Sequence, residues 1–517
     1  MNGANALMQT LMANDVDVCF ANPGTSEMHF VAALDATEGM RCVLGLFEGV
    51  VTGAADGYAR MTGTPAATLL HLGPGMANGL SNLHNALRAQ SPMVNVIGDH
   101  ATYHRHLDAP LTSDIETAAR PFSHWVRTTP DADSVPLDTA AAIREARRRP
   151  GRISSLILPA DAAWNEVRSS SVQAPQAGDP QPAPLDGEAV DAVAALLPRA
   201  ESPAIILGPG ATLEQPLGAA GKVAAATGAK LLTTTMTSRI TRGAGRVPVA
   251  RIPYPPDQAA TFLAEHDLIV LVGAKGPVSF FAYPDRPSVL WPRTAQVVEL
   301  ARPDHDLTEA LDGLVDALAA GDATARTSPL ELPQRPSGEL NVAGLGALIG
   351  SLLPEQAIVV DESITSGRTL VAETETARPH DWLVGTGGSI GYAMPCAIGA
   401  AVACPDRKVI VLESDGSAMY QPQALWTAAR EQLDIVIVLF ANRKYKILHN
   451  EMRNVGVPAF GPKAQALLDI DNPAIDFVAL AGSMGVPASA VTTMDELATA
   501  LEGALAEPGP ALIEVRL

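Results

Sequence analysis

Short, unbroken apolar runs recur along this chain, and nearly every one stops at a glycine, aspartate or asparagine turn. In the first third they are residues 16–22 (VDVCFAN), 43–46 (VLGL), 66–72 (AATLLHL) and 93–99 (MVNVIGD). The middle third carries 204–210 (AIILGPG) and 267–274 (DLIVLVGA), and the last third 357–363 (AIVVDES), 408–416 (KVIVLESDG) and 434–442 (DIVIVLFAN). Runs this short, separated by helical segments, indicate strands buried on both faces of parallel sheets. The fold class that follows is α/β, with three doubly wound parallel-sheet domains. Such sheets bind ligands beyond the carboxyl ends of their strands, so functional residues are sought just after each run.

Two proline-rich stretches without hydrophobic periodicity, Ser169–Asp186 and Thr324–Ser337, read as linkers. They divide the chain into domains at 1–170, 185–325 and 338–517, each of ordinary domain size. The net charge of −20 excludes the basic surface that nucleic acid or an anionic membrane face requires. Cys19, Cys42, Cys396 and Cys404 form no C-x-x-C pair and sit in apolar or alanine-rich runs, which argues against a disulfide framework or a zinc site. The start lacks a basic, then apolar, leader, and no run approaches the about 20 apolar residues of a membrane span. A cytoplasmic location is expected.

The richest stretch is 413–451. One apolar run leads into Ser414-Asp415-Gly416-Ser417, a helical segment follows, and a second run leads into Ala441-Asn442-Arg443-Lys444-Tyr445. This reads as one βαβ unit with Asp415 and Asn442 at the carboxyl ends of its strands, 27 positions apart. A right-handed crossover brings both ends to one sheet edge. A carboxylate oxygen and an amide oxygen converging there suit magnesium, which keeps positions open for water and phosphate. Gly416 permits close approach of a phosphate, and Ser417 offers a hydroxyl and helix-start amides. An Asp-Gly pair alone would be an ordinary turn; the whole unit, with Asn at this distance, points to a metal and diphosphate site.

Glu48 is the second conspicuous acid. It follows an apolar run and opens EGVVTGAADGYARMTG (48–63). In isolation it would be a helix-start glutamate favoured by the dipole. Buried at a strand end without a cation, it would instead be able to share a proton.

The segment 413–445 resembles the cofactor motif of thiamine diphosphate-dependent enzymes, written G-D-G, a spacer, then N-N. Ser414 replaces the first Gly and Ala441 the first Asn. The resemblance extends through ANPGTSE (21–27), the E-x5-AADGYAR pattern from Glu48, the glycine-rich active-site loop LHLGPGMANGLSNLHNAL (70–87), VGTGGSIGYAMPCAIGA (384–400) and the closing strand at 508–517. Among relatives it is most like benzoylformate decarboxylase, with acetolactate synthase more distant. The resemblance implies that Asp415, Asn442 and the backbone carbonyl of Lys444 hold Mg2+ or another divalent cation such as Ca2+. It implies that Thr365, Gly388, Gly416, Ser417 and Tyr445 surround the diphosphate, and that Ile390 props the cofactor in its bent form. Glu48 would bond to the aminopyrimidine ring and so activate the thiazolium carbon. Glu48 and Asp415 would meet across a subunit interface, in a homodimer or homotetramer. The implied reaction is cleavage or formation of a C–C bond beside the carbonyl of a small 2-oxo acid, by decarboxylation or carboligation.

His71 stands 23 residues after Glu48, as the active-site histidine of benzoylformate decarboxylase does. The plainer reading is an imidazole satisfied by backbone hydrogen bonds. The hydroxyl of Thr25 or Ser26 would bond a substrate carboxylate or cap the next helix. Two positions depart from benzoylformate decarboxylase: Phe281 falls where a second histidine is expected, and Glu451 where a large aromatic is expected. His100, His104 and His106, with Asp99 and Asp108, read as a loop rather than a metal cluster. In the middle domain, AIILGPGAT (204–212) lacks a complete G-x-G-x-x-G and an acidic ribose partner, so flavin is not expected there. Two rivals stay open at this stage: a noncatalytic cofactor-binding homologue, and a flavin-containing oxidase of the pyruvate oxidase type.

Overall fold

The computed structural model describes residues 1–168, 174–457 and 459–517. Residues 169–173, at the start of the first expected linker, lie outside the described residues. Three α/β layers account for the chain. Strands β1 (Val18–Ala21), β2 (Arg41–Leu44), β3 (Ala66–Leu70), β4 (Met93–Asp99), β5 (Trp125–Thr128) and β6 (Ile153–Pro159) form a sheet in the order β2-β1-β3-β4-β6-β5. Every neighbouring pair in it is parallel.

The middle segment supplies β7 (Pro203–Leu207), β8 (Lys230–Thr233), β9 (Ile240–Arg242), β10 (Ala250–Arg251), β11 (Leu268–Val272) and β12 (Gln296–Ala301). Five of them form a parallel sheet in the order β10-β8-β7-β11-β12. The last segment supplies β13 (Ala357–Asp361), β14 (His380–Val384), β15 (Val409–Ser414), β16 (Ile435–Ala441), β17 (Ala488–Val491) and β18 (Ala511–Arg516), in the order β17-β18-β16-β15-β13-β14-β9. Strand β9 therefore leaves its own segment and joins the third sheet, antiparallel to β14, with Arg242 opposite His380. Its three residues carry too little pattern to signal that exchange from sequence.

Each expected apolar run overlaps a strand, which ends up to three residues before the run does. Residues 70–87, expected as a glycine-rich loop, are instead mostly helix, Leu72–Ala89. Pro74 sits in its first turn, where a missing N–H costs nothing.

Helix Glu48–Thr62 of the first segment packs on helix Ala393–Ala403 of the third, and one apolar core runs through both. The small residues of both helices are a packing requirement. A Cβ on Gly57 would stand 1.9 Å from the Cys396 carbonyl oxygen, and one on Gly399 would stand 1.8 Å from that of Ala54. At the end of the first helix, buried Arg60 pairs with Asp56 (Nη2–Oδ2 2.6 Å) and donates to the carbonyls of Ser238 (3.2 Å) and Val384 (2.8 Å). One guanidinium thus ties all three segments together. Among the described residues no helix is long and apolar enough to cross a membrane.

Removing one partner of a buried ion pair leaves the other charge uncompensated. Arg60→Ala is expected to destabilise the fold by about 3–5 kcal/mol, read as a lower urea midpoint. A loss below about 1 kcal/mol, the range of an exposed pair, would show that Arg60 is no such tie.

Candidate active site

In the first sheet, β1 lies between β2 and β3, so the loops leaving these three strands converge at one edge. Glu48 opens the helix after β2, is 5% exposed, and accepts a hydrogen bond from Asn78 Nδ2 at 2.9 Å. His71 ends the β3 connection, and its Nδ1 lies 2.8 Å from Glu27 Oε2. Glu27, in the loop after β1, is buried and also accepts from the Gly24 N–H (2.8 Å) and the Ser26 hydroxyl (2.6 Å). Two glycines make room for this pair. A Cβ on Gly24 would stand 2.0 Å from His71 Nδ1, and one on Gly98 would stand 1.7 Å from Glu27 Oε1.

A carboxylate accepting from Nδ1–H fixes the imidazole tautomer and leaves Nε2 free for chemistry. The bland alternative for His71, backbone satisfaction, is thereby replaced by a side-chain anchor. Glu27 is the residue that sequence reasoning missed; its signal was its place as the one acid of ANPGTSE. The capping alternative for Thr25 and Ser26 also falls. Gly24 holds the cap position of the turn Thr25–Glu27, Thr25 is exposed, and the Ser26 hydroxyl is bonded to Glu27.

The third sheet gathers four loops in the same way, because β16, β15, β13 and β14 are consecutive neighbours. Asp415 follows β15 and is buried. Its Oδ1 accepts from the Gly416 N–H at 2.9 Å, and its Oδ2 from the Arg443 N–H at 2.5 Å. Arg443 is the residue after Asn442, at the end of β16. The Asn442 side chain accepts from the Lys444 N–H (3.1 Å), and its Nδ2 lies 3.5 Å from Ser366 Oγ. The Lys444 side chain is exposed, and its carbonyl accepts from the Lys446 N–H at 2.9 Å.

Ser414 donates to Ser417 Oγ at 2.8 Å, and the Tyr445 ring covers Gly416. Thr365 lies in the turn after β13. Gly388, at φ +76°, and Ile390 lie in the loop between β14 and helix Ala393–Ala403. Burial pushes the Asp415 carboxyl up, opposed by the N–H groups of Arg443 and Gly416. Among the described residues no side-chain cation pairs with it. A buried carboxylate on the turn after β15, and an amide oxygen and a main-chain carbonyl on the turn after β16, are a hard-oxygen donor set of the kind that suits a divalent cation.

Two further buried acids lie beside this edge. Glu362, after β13, accepts the N–H groups of Gly391, Tyr392 and Ala393 at 2.9–3.0 Å, which anchors the start of the following helix. Burial pushes its carboxyl up to about 8 against those three donors. Glu413, in β15, is pushed up by burial and by the Glu362 charge, and its Oε2 has no partner among the described residues. A lone acid inside an apolar run was the available sequence signal.

No hydrogen bond or ion pair among the described residues joins Thr25, Ser26, Glu48 or His71 to Asp415 or Asn442. At the position where a second histidine was expected, Phe281 is exposed and packs edge-on against Phe280, ring centres 4.8 Å apart. Glu451 accepts from the Tyr283 hydroxyl at 2.7 Å, so it is not a free solvent-facing helical glutamate.

With this geometry established, the family follows. Residues 1–120 match the thiamine pyrophosphate enzyme N-terminal TPP binding domain, and residues 366–515 match the C-terminal TPP binding domain. The chain belongs to the thiamine pyrophosphate enzyme family. It is 52% identical to the Mycobacterium tuberculosis protein named "Putative acetolactate synthase large subunit IlvX", over 100% of this chain and 99% of that one. It is 31% identical to benzoylformate decarboxylase of Pseudomonas aeruginosa, over 99% and 98% of the two chains. Among solved structures, thiamine diphosphate-dependent 4-hydroxybenzoylformate decarboxylase of Rhodococcus jostii RHA1 superposes with a TM-score of 0.85 at 26% identity, covering 100% of this chain and 99% of that one.

Glu27→Ala removes the anchor of His71 while leaving the ring in place. Loss of orientation at a reacting group is expected to lower kcat about a hundredfold, with thiamine diphosphate affinity unchanged by calorimetry. A kcat equal to that of the parent would show that the Glu27–His71 contact is idle.

Proposed function

We propose that this chain is a cytoplasmic decarboxylase or carboligase of small 2-oxo acids, with thiamine diphosphate anchored through Mg2+ or Ca2+ by Asp415, Asn442 and the Lys444 carbonyl. The observation that carries the reading is the bond from the Arg443 N–H to Asp415 Oδ2, which joins the turns leaving β15 and β16. Bound thiamine diphosphate would supply the electron sink that C–C cleavage beside a carbonyl requires. The protein's part is to hold the cofactor and present groups to it.

Thr365, Gly388, Gly416, Ser417 and Tyr445 would line the diphosphate, and Ile390 would support the cofactor's bend. Glu48 offers a buried carboxylate to a ring nitrogen, with Asn78 steadying one oxygen. His71, oriented by Glu27, turns Nε2 toward the substrate carboxylate or the carbon to be protonated. Thr25 and Ser26 provide hydroxyls at the same loop. Glu451, bonded to Tyr283, makes one wall polar and favours a substrate with a polar or hydroxylated side chain over an unsubstituted phenyl group.

That no hydrogen bond or ion pair among the described residues joins the two groups is in keeping with a site completed by a second copy, in a dimer or a dimer of dimers. The four unpaired cysteines are in keeping with a reducing compartment. The identity to the IlvX protein favours scoring carboligated products alongside carbon dioxide.

Two variants test this reading. Asp415→Ala is expected to abolish metal-dependent cofactor binding. Glu48→Gln is expected to bind the cofactor normally and turn over at least about a hundredfold more slowly. Parent-like turnover by Glu48→Gln would instead indicate a noncatalytic or differently built site. Co-expression of the two variants tests the subunit arrangement. Mixed dimers rebuild one intact site in two if sites are shared, so activity should return to a sizeable fraction of the parent's. Inactive mixed dimers would place both groups on one chain.

A further inference from the structure

A second polar cavity lies at the opposite edge of the third sheet. It occupies about 320 Å3 and is lined by Arg239, Arg246, Arg407, Asp381, Glu214 and His380, with Leu213, Thr241 and Gln356 completing the wall. Its sheet residues stand at the amino ends of β13 and β14, whereas Asp415 and Asn442 stand at the carboxyl ends of β15 and β16. It is therefore distinct from the cofactor site.

The three guanidiniums come from separate places in the chain. Arg239 precedes β9, Arg246 follows it, and Arg407 precedes β15. Asp381, nearly buried, binds two of them: Arg239 Nε at 2.8 Å and Arg407 Nη2 at 2.6 Å. Arg407 is held further by the carbonyls of Gln356 (2.5 Å) and Ala357 (3.3 Å). Both forks are thus fixed before any ligand arrives, so little side-chain entropy remains to be lost on binding. Arg246 pairs with Glu214, whose side chain is 63% exposed.

The charges do not cancel. Three guanidiniums face two carboxylates, in a protein whose net charge is −20. His380 adds no charge: burial, with Arg242 nearby, pushes its imidazole down to about 4. Its Nδ1 donates to the Arg378 carbonyl, and its Nε2 has no partner among the described residues. An excess positive charge carried on preset planar forks is the arrangement that selects carboxylate or phosphate oxygens.

The cavity is also wired to the first segment. Arg239 Nη1 donates to the carbonyls of Arg60 and Met61, each at 3.0 Å, near the end of the helix that Glu48 begins. A ligand drawing on Arg239 therefore pulls on the same rigid element that carries the catalytic acid.

We infer that this cavity is an effector site for a small oxyanion, a carboxylate or phosphate, that adjusts turnover through Arg239 and the helix Glu48–Thr62. The effect on turnover rests on the function proposed above; the binding does not. Calorimetry on cofactor-saturated enzyme, with inorganic phosphate in one arm and succinate in the other, and chloride as the ionic-strength control, reads binding directly and tells the two ligand types apart. At least one arm should bind with Kd at or below about 1 mM. Arg246→Glu should weaken that binding at least about tenfold, and Glu214→Gln, which frees Arg246, should tighten it. Neither variant should alter thiamine diphosphate affinity. The same anion should change KM or kcat for a 2-oxo acid in the parent and lose that effect in Arg246→Glu. Absence of binding in both arms at about 10 mM, or equal affinity in the parent and both variants, overturns the site. Binding that leaves KM and kcat unmoved overturns its effector role. A protein that binds the anion but turns over no 2-oxo acid contradicts the proposed function and leaves the site standing.

Discussion

Everything at the third sheet's working edge depends on parallel pairing of β15 with β16. That register places Ser414 opposite Phe440, so the next residues of both strands run off the sheet together. Asp415 then finds a main-chain N–H of the neighbouring turn and spends one oxygen on it. The bond is local and its donor is backbone, so it stays neutral and leaves the carboxylate charge available. A lysine or arginine side chain in that place would have cancelled that charge. The same logic governs the first sheet, where three consecutive strand ends bring Glu27, Glu48 and His71 to one edge.

Buried acids mark this protein more than its surface charges do. Glu27, Glu48, Glu362, Glu413 and Asp415 all lie at or near strand carboxyl ends, and each is hidden from solvent. They do different work. Glu27 orients an imidazole, Glu362 satisfies three helix-start amides, and Asp415 is tied to a turn. Glu413 accepts the Ser414 N–H, and burial, with the Glu362 charge beside it, pushes its carboxyl up. Low dielectric makes each placement costly unless a donor or a proton compensates it, and the structure supplies one or the other in every case.

The three segments are stapled by arginine rather than by apolar contact alone. Arg60 and Arg239 donate to main-chain carbonyls across segment boundaries, while their carboxylate partners, Asp56 and Asp381, sit in the interior. Main-chain carbonyls are rigid acceptors, so these bonds transmit position as well as strength. Strand β9 adds covalent continuity by carrying middle-segment chain into the third sheet. A disturbance at the Arg239 cavity consequently has a stiff route to the helix of Glu48.

The sequence alone determined the layer type, the strands that carry Glu48, His71, Asp415 and Asn442, and the adjoining strand ends from which the last two leave. Unbroken apolar runs and a crossover of fixed hand leave few alternatives for where strand ends fall. It also marked Glu48 and His71, because each stands at or just past the end of such a run. The tertiary structure decided what the side chains bond to. Glu27 becomes the partner of His71 only because β1 lies between β2 and β3 and two glycines vacate the space between them. The stretch 70–87 becomes helix because neighbours fill the gaps its glycines leave, which no local propensity records. Strand β9 crosses to the third sheet because an edge there accepts three residues, and the arginine cavity assembles from loops far apart in the chain. Pattern along a chain encodes burial and direction, whereas polar partnership depends on residues remote in sequence and exists only once the sheets are stacked.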